Sequence, residues 1–192
     1  MADILEIRWH GRGGQGAKTA ANLLAEAASS AGRFIQAFPE YGPERMGAPV
    51  ASFNRISTEP IRIRSGVTDP EVVVVLDPTL MKSGDVTSGL KPDGAIVINS
   101  EKDPATIREQ MGISGFRIYT VDANGISVDT LGRRIPNTPM LGAVIRATGI
   151  LDYDAFMENM ELELKKKFGG RPEIVQGNLK AIRRAYEEVQ SE

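Results

Sequence analysis

Leu5, Ile7 and Trp9 alternate with Glu6 and Arg8, the two-residue period of a strand, and a glycine run from Gly11 to Gly16 follows at once. There the period changes. Ala17, Ala20, Ala21, Leu24, Ala27 and Ala28 recur at helical spacing up to Gly32, and their small side chains let such a helix lie close against a sheet. Phe34 to Phe38 reads as a second strand. From Pro39 to Pro49, Pro43, Gly42 and Gly47 add to the flanking prolines to exclude a regular element and predict a shaped loop. Val50 to Ile56 and Ile61 to Arg64, divided by a polar turn ending in Pro60, read as an antiparallel hairpin. Val72 to Leu76 is continuously apolar, as expected where helices cover both faces of a parallel sheet, and Ala95 to Ile98 and Arg117 to Val121 repeat the pattern. Asp103-Pro104 opens a short helix, with an N-cap followed by proline at the first helical position. After an Asn137-Thr138-Pro139 turn, helices are predicted from about Met140 to Thr148, from Tyr153 to Phe168 and from Pro172 to Val189. The sum is one α/β domain over residues 1–192, a doubly wound, mostly parallel, Rossmann-like sheet with an antiparallel hairpin and C-terminal helices.

Gly11-Arg12-Gly13-Gly14-Gln15-Gly16 matches G-x-G-x-x-G, and it lies after a strand and before a helix, the context that gives the match weight. Backbone N–H groups at such a helix start point at a phosphate or carboxylate, and the helix dipole adds roughly 0.3–1 kcal/mol of attraction. Glycines at these positions equally permit tight strand–helix packing with no ligand at all. An NAD site requires an acid about 20 residues on to grip the ribose. Glu40 is the nearest match, although it sits between Pro39 and Tyr41 in the rigid loop. A P-loop requires lysine directly after the last glycine, whereas Ala17 intervenes here before Lys18-Thr19. That offset turns the lysine by roughly 100° around the helix, away from the phosphates. Asp77, after the valine strand, imitates a magnesium-holding acid, but with the lysine misplaced it does not make an NTPase.

Composition then removes whole classes of function. With 41% apolar residues the chain fills one sizeable core, and a net charge of −2 provides no basic excess for nucleic acid or anionic lipid. The sequence has no cysteine, which removes disulfides, thiolate zinc sites and iron–sulfur clusters. If electrons pass through such clusters, another chain carries them. The single histidine, His10, excludes a multi-histidine metal cage, and it reads as a structural side chain beside the glycine run. No stretch approaches the length of a membrane span and the N-terminus carries acids where a secretory signal needs a basic stretch, so the expectation is a soluble, cytoplasmic protein.

Four segments occur in order: His10 to Gly16, Ala37 to Pro49, Phe53-Asn54-Arg55-Ile56, and Ile135 to Gly142. Together they resemble the gamma subunit of pyruvate and related 2-oxoacid:ferredoxin oxidoreductases. Met46 departs from the polar or basic residue expected there. The resemblance implies oxidative decarboxylation, in which a 2-oxoacid, foremost pyruvate, coenzyme A and oxidised ferredoxin yield acyl-CoA, carbon dioxide and reduced ferredoxin. It also implies alpha, beta and delta partner subunits, with thiamine diphosphate and magnesium held mainly by alpha and beta, and clusters by beta and delta chains or fused domains. The gamma subunit would cover the active site and contribute to coenzyme A binding, and the isolated chain would be inactive.

In that role the cofactor-binding candidates are Gly11, Arg12, Gly13, Gly14, Gln15, Gly16 and Lys18, with Asn137 and Thr138 as further polar contacts or as helix-capping residues. Gln15 brings an amide that donates and accepts, and Lys18 and Arg12 bring charge. In the proline-rich loop, Glu40, Tyr41, Glu44 and Arg45 are candidates for contact with partners or with the active-site mouth. Two other roles stay open at this point: a purely structural organiser of the same complex, and an independent NAD-binding dehydrogenase, which lacks an obvious catalytic base.

Overall fold

Val72 and Val74 enter one core while Val73 and Val75 enter another. This is why β4 (Val72–Val75) is apolar at every position. In the computed structural model, which describes residues 4–40, 47–83 and 86–192, β4 lies at the middle of a seven-stranded sheet of order β2-β3-β1-β4-β5-β6-β7. Its neighbours β1 (Ile4–Arg12) and β5 (Ala95–Asn99) run parallel to it, and β6 (Arg117–Val121) continues the parallel block. β2 (Phe34–Pro39) and β3 (Pro49–Ser57) add an antiparallel flank, and β7 (Gln190–Ser191) pairs antiparallel with β6 at the other edge.

The sheet is wound on both faces. On one lie α1 (Ala17–Ser30), α4 (Ala123–Leu131), α5 (Asn137–Thr148), α6 (Tyr153–Phe168) and α7 (Pro172–Glu188), packed over Ile7, Trp9, Val74 and Val97. The opposite face carries α2 (Leu80–Ser83) and α3 (Pro104–Met111), with Leu80 and Ile107 over Val75, Ile96 and Ile118. Each fully buried Val, Ile or Leu stabilises the fold by about 1.5–3 kcal/mol relative to exposure, so these two layers supply the main driving force. Small residues set the helix distances. α1 buries Ala20, Ala21, Leu24, Ala27 and Ala28, and α5 crosses α7 at Gly142, where an added Cβ would stand 2.1 Å from the carbonyl oxygen of Ile182.

Helix starts follow their acids. Asp103, Asp122 and Asp152 accept from the backbone N–H groups of Thr106, Gly125 and Ala155, capping α3, α4 and α6. The buried polar pair of the core is equally specific: Trp9 donates through Nε1 to Asn54 Oδ1 at 2.8 Å, and Asn54 Nδ2 donates to the Ala21 carbonyl at 2.8 Å, joining β1, β3 and α1.

The expected pairing of Ile61 to Arg64 with Val50 to Ile56 is overturned. β3 has both edges occupied, by β1 and by β2, so no ladder position is left for a following strand. Residues 60–64 run irregularly beside the sheet, where the Ile63 carbonyl accepts from Gln36 Nε2, and the antiparallel hairpin is β2 with β3. The Asn137-Thr138-Pro139 turn is likewise the first turn of α5. Among the described residues, no helix is long and apolar enough to cross a membrane.

Candidate site at the glycine turn

β1 continues through Gly11 and Arg12 before the chain turns, so Gly11 is a buried strand residue and the turn proper is Gly13 to Gly16. Hydrogen bonds from Gly13 N to the Ala48 carbonyl (2.9 Å) and from Gly47 N to the Gly13 carbonyl (3.2 Å) tie the turn to the start of β3. Gly14 and Gly16 have φ of 96° and 85°, left-handed values that favour glycine. Gly16 is the N-cap of α1 and brings no side chain to it. The first N–H groups of the helix, at Ala17, Lys18 and Thr19, are therefore left for solvent or a ligand.

Ala17, Lys18 and Thr19 line an open cleft of about 560 Å³. One wall is Arg12, Gly13, Gly14, Gly16, Ala17, Lys18 and Thr19, and the other is Pro39, Glu40, Val50, Ala51 and Ser52. Lys18 is exposed at the rim. The cleft thus gathers a helix N-terminus and an exposed cation, together with a carboxylate and small side chains. It suits an anionic group attached to an uncharged body of modest width.

The two side chains inside the glycine run point elsewhere. Gln15 accepts the Arg12 N–H through Oε1 at 2.7 Å and donates through Nε2 to Asp77 Oδ2 at 2.9 Å, so its amide serves the turn itself. Arg12 borders the cleft, yet its guanidinium donates to Asp77 Oδ2 (3.1 Å), Thr79 Oγ1 (2.9 Å) and the Gly47 carbonyl (3.2 Å). Burial pushes the Asp77 carboxyl up, but hydrogen bonds from Thr79 and Gln15 and the Arg12 charge outweigh it and hold the group below the usual carboxylate range. His10 lies under the turn with a lowered pKa of about 4, mainly through burial and then through the Arg8 charge, and its Nε2 accepts from Arg8 Nε at 2.9 Å. It is a neutral structural side chain at pH 7.

Asn137 and Thr138 are not on the cleft. Asn137 sits directly behind Gly16, and its Oδ1 accepts the Thr138 N–H at 2.8 Å in the first turn of α5. Both residues border a second, smaller crevice of about 90 Å³ that shares Thr19 with the first. Glu40 lines the cleft, while Tyr41, Glu44 and Arg45 lie outside the described residues. Sequence reasoning missed Thr19, Val50, Ala51 and Ser52 as lining residues. The small side chains at 51 and 52, next to a glycine turn across the β1–β3 ladder, were the available signal.

Comparison with known proteins decides the family. Residues 6–188 match the pyruvate ferredoxin/flavodoxin oxidoreductase family. The chain belongs to it. It is 51% identical to pyruvate synthase subunit PorC of Thermotoga maritima, over 96% of this chain and 94% of that one. It is 48% identical to the pyruvate/ketoisovalerate oxidoreductases common subunit gamma of Pyrococcus abyssi, over 97% of this chain and 98% of that one. The crystal structure of pyruvate oxidoreductase subunit PorC from Thermotoga maritima superposes with a TM-score of 0.84, covering 98% of each chain at 45% identity. The chain is thus a gamma-type subunit of a 2-oxoacid:ferredoxin oxidoreductase, and partner subunits complete the enzyme.

Proposed function

We propose that this subunit contributes the coenzyme A contact of its oxidoreductase and covers the active site. The observation that carries the reading is the uncapped N-terminus of α1, opening with Lys18 onto the 560 Å³ cleft. The diphosphate of coenzyme A is the anion such a terminus attracts, and the pantetheine arm is the narrow, uncharged continuation that the Val50–Ser52 wall accommodates. With no cysteine in the sequence, this chain cannot hold the clusters that pass electrons to ferredoxin. They belong to beta and delta chains or fused domains, with thiamine diphosphate and magnesium on alpha and beta. The 2-oxoacid we favour is pyruvate, through the likeness to PorC.

The independent NAD-dehydrogenase reading is disfavoured by topology. A dinucleotide fold sets its second strand beside the first, parallel to it, with the ribose-binding acid at that strand's end. Here β3 intervenes between β1 and β2, and Glu40 follows an edge strand of the antiparallel flank. The role of structural organiser differs from ours in one measurable respect. Reversing the charge at exposed Lys18 (Lys18→Glu) in the complex assembled with wild-type partners should raise the KM for coenzyme A by roughly tenfold, the loss of one charge-assisted contact. An unchanged KM in an assembled complex would leave the organiser role standing alone.

A further inference from the structure

Outside the glycine turn, the described surface holds an apolar crevice between α2 and α3 and an exposed pair, Phe34 and Ile63, at the β2 edge; nothing in the structure says what covers either. The turn itself carries more. It is built largely of glycine, which has no intrinsic preference for one conformation, so something must hold its backbone in a single shape at the start of α1. Between Gly11 and Gly16 only Arg12 and Gln15 have side chains, and both donate to the same atom, Asp77 Oδ2. The other oxygen, Oδ1, accepts from the Thr79 N–H at 3.0 Å and from Thr79 Oγ1 at 2.6 Å, which fixes the carboxylate against the chain that follows β4. Asp77 is therefore oriented by Thr79 and orients both ends of the turn.

We propose that Asp77 is the positioning residue of the coenzyme A site, acting through Gln15 and Arg12 on the glycine turn. This rests on the coenzyme A reading of the cleft. The consequence is twofold. Gln15 Oε1, held by the bond that its own Nε2 makes to Asp77, fixes the Arg12 N–H and so the point where β1 ends. The Arg12 guanidinium is neutralised and drawn toward Asp77 and Thr79, which leaves Lys18 as the cation without a partner among the described residues of the cleft. An asparagine at 77 keeps the size of the side chain but replaces one acceptor oxygen with an NH2, which cannot accept from Arg12 or Gln15.

The test uses the assembled complex with Asp77→Asn, Gln15→Ala, the double variant and Lys18→Glu as reference. Coenzyme A is titrated at steady state, and decarboxylation is followed in a single turnover without it. Asp77→Asn should raise the KM for coenzyme A about fivefold with kcat and the single turnover within about twofold, the effect of one or two misplaced hydrogen bonds. Adding Gln15→Ala to Asp77→Asn should raise it little further, because both act through one link. A merely structural Asp77 would lower the melting temperature and the yield of complex without moving KM, and that result overturns the proposal. If Lys18→Glu raises KM and Asp77→Asn does not, the coenzyme A site stands and the positioning role is refuted. If neither moves it, the coenzyme A reading fails and the proposal with it. Should Asp77→Asn fail to assemble, Gln15→Ala alone decides, with a rise of about threefold expected and an unchanged KM contradicting the proposal.

Discussion

A Cβ placed on Gly16 would stand 2.6 Å from Nδ2 and 3.0 Å from Cβ of Asn137. The last glycine of the turn and the first residue of α5 are thus in direct contact, although 121 positions (137 − 16) separate them in the chain. This contact ties the glycine turn to the start of α5: Asn137 stands behind Gly16, off the cleft, where the two helix N-termini meet.

Gly16→Ala should destabilise the fold by about 2–4 kcal/mol, combining left-handed backbone strain with the Asn137 overlap. Adding Asn137→Ala removes the amide but leaves the Cβ contact, so it should restore only part of the loss. Chemical denaturation of the single and double variants measures both steps.

His10 makes stability depend on pH. Its pKa is about 4 in the folded chain against 6.5 as a free side chain, so between these values the unfolded chain binds more protons. The stabilisation is fully present above pH 6.5 and is lost as pH falls from 6.5 toward 4, by at most about 3 kcal/mol. His10→Gln, whose amide oxygen can accept from Arg8, should flatten that window. Denaturant midpoints at pH 7, 5.5 and 4.5 for both proteins are the comparison, and parallel profiles would contradict the assignment.

Gly142→Ala should cost more than a surface helix substitution. The methyl group meets the Ile182 carbonyl at 2.1 Å and forces α5 from α7, a loss of about 3 kcal/mol or more rather than the gain in helix propensity expected at an exposed position. A melting temperature at or above that of the parent would show that the helices can separate at no cost.

Asn54→Ala should destabilise by about 2–3 kcal/mol, because Trp9 Nε1 and the Ala21 carbonyl both lose their buried partner. Near-ultraviolet circular dichroism reports the Trp9 environment directly and should change with it.

The period of apolar residues made most of the frame legible. α6 begins and ends where its pattern predicts, at Tyr153 and Phe168, and the valine run marks a strand with two covered faces. Where the chain departs from its pattern, the cause is nonlocal. Ile61 to Arg64 has strand-like alternation but cannot pair with β3 as its spacing predicts, since β1 and β2 already occupy both sides of that strand. α4, whose first turn holds Asn124-Gly125, falls where no element is predicted. In the fold a Cβ at Gly125 would stand 2.1 Å from Asp122 Oδ2, so any larger residue there must displace the side chain that caps the helix. The glycine turn announced a helix start that could meet an anion. That Gln15 and Arg12 bond to Asp77 depends on where β4 ends beside β1, which no local pattern encodes.

The most direct measurement is hydrogen–deuterium exchange of the assembled complex with and without coenzyme A, read at the amides of Gly13 to Thr19. Binding at the α1 terminus predicts slower exchange at Ala17, Lys18 and Thr19 when coenzyme A is added, with the effect weakened in Lys18→Glu. Unchanged exchange at these amides, under conditions where coenzyme A saturates turnover, would contradict the assignment of the cleft.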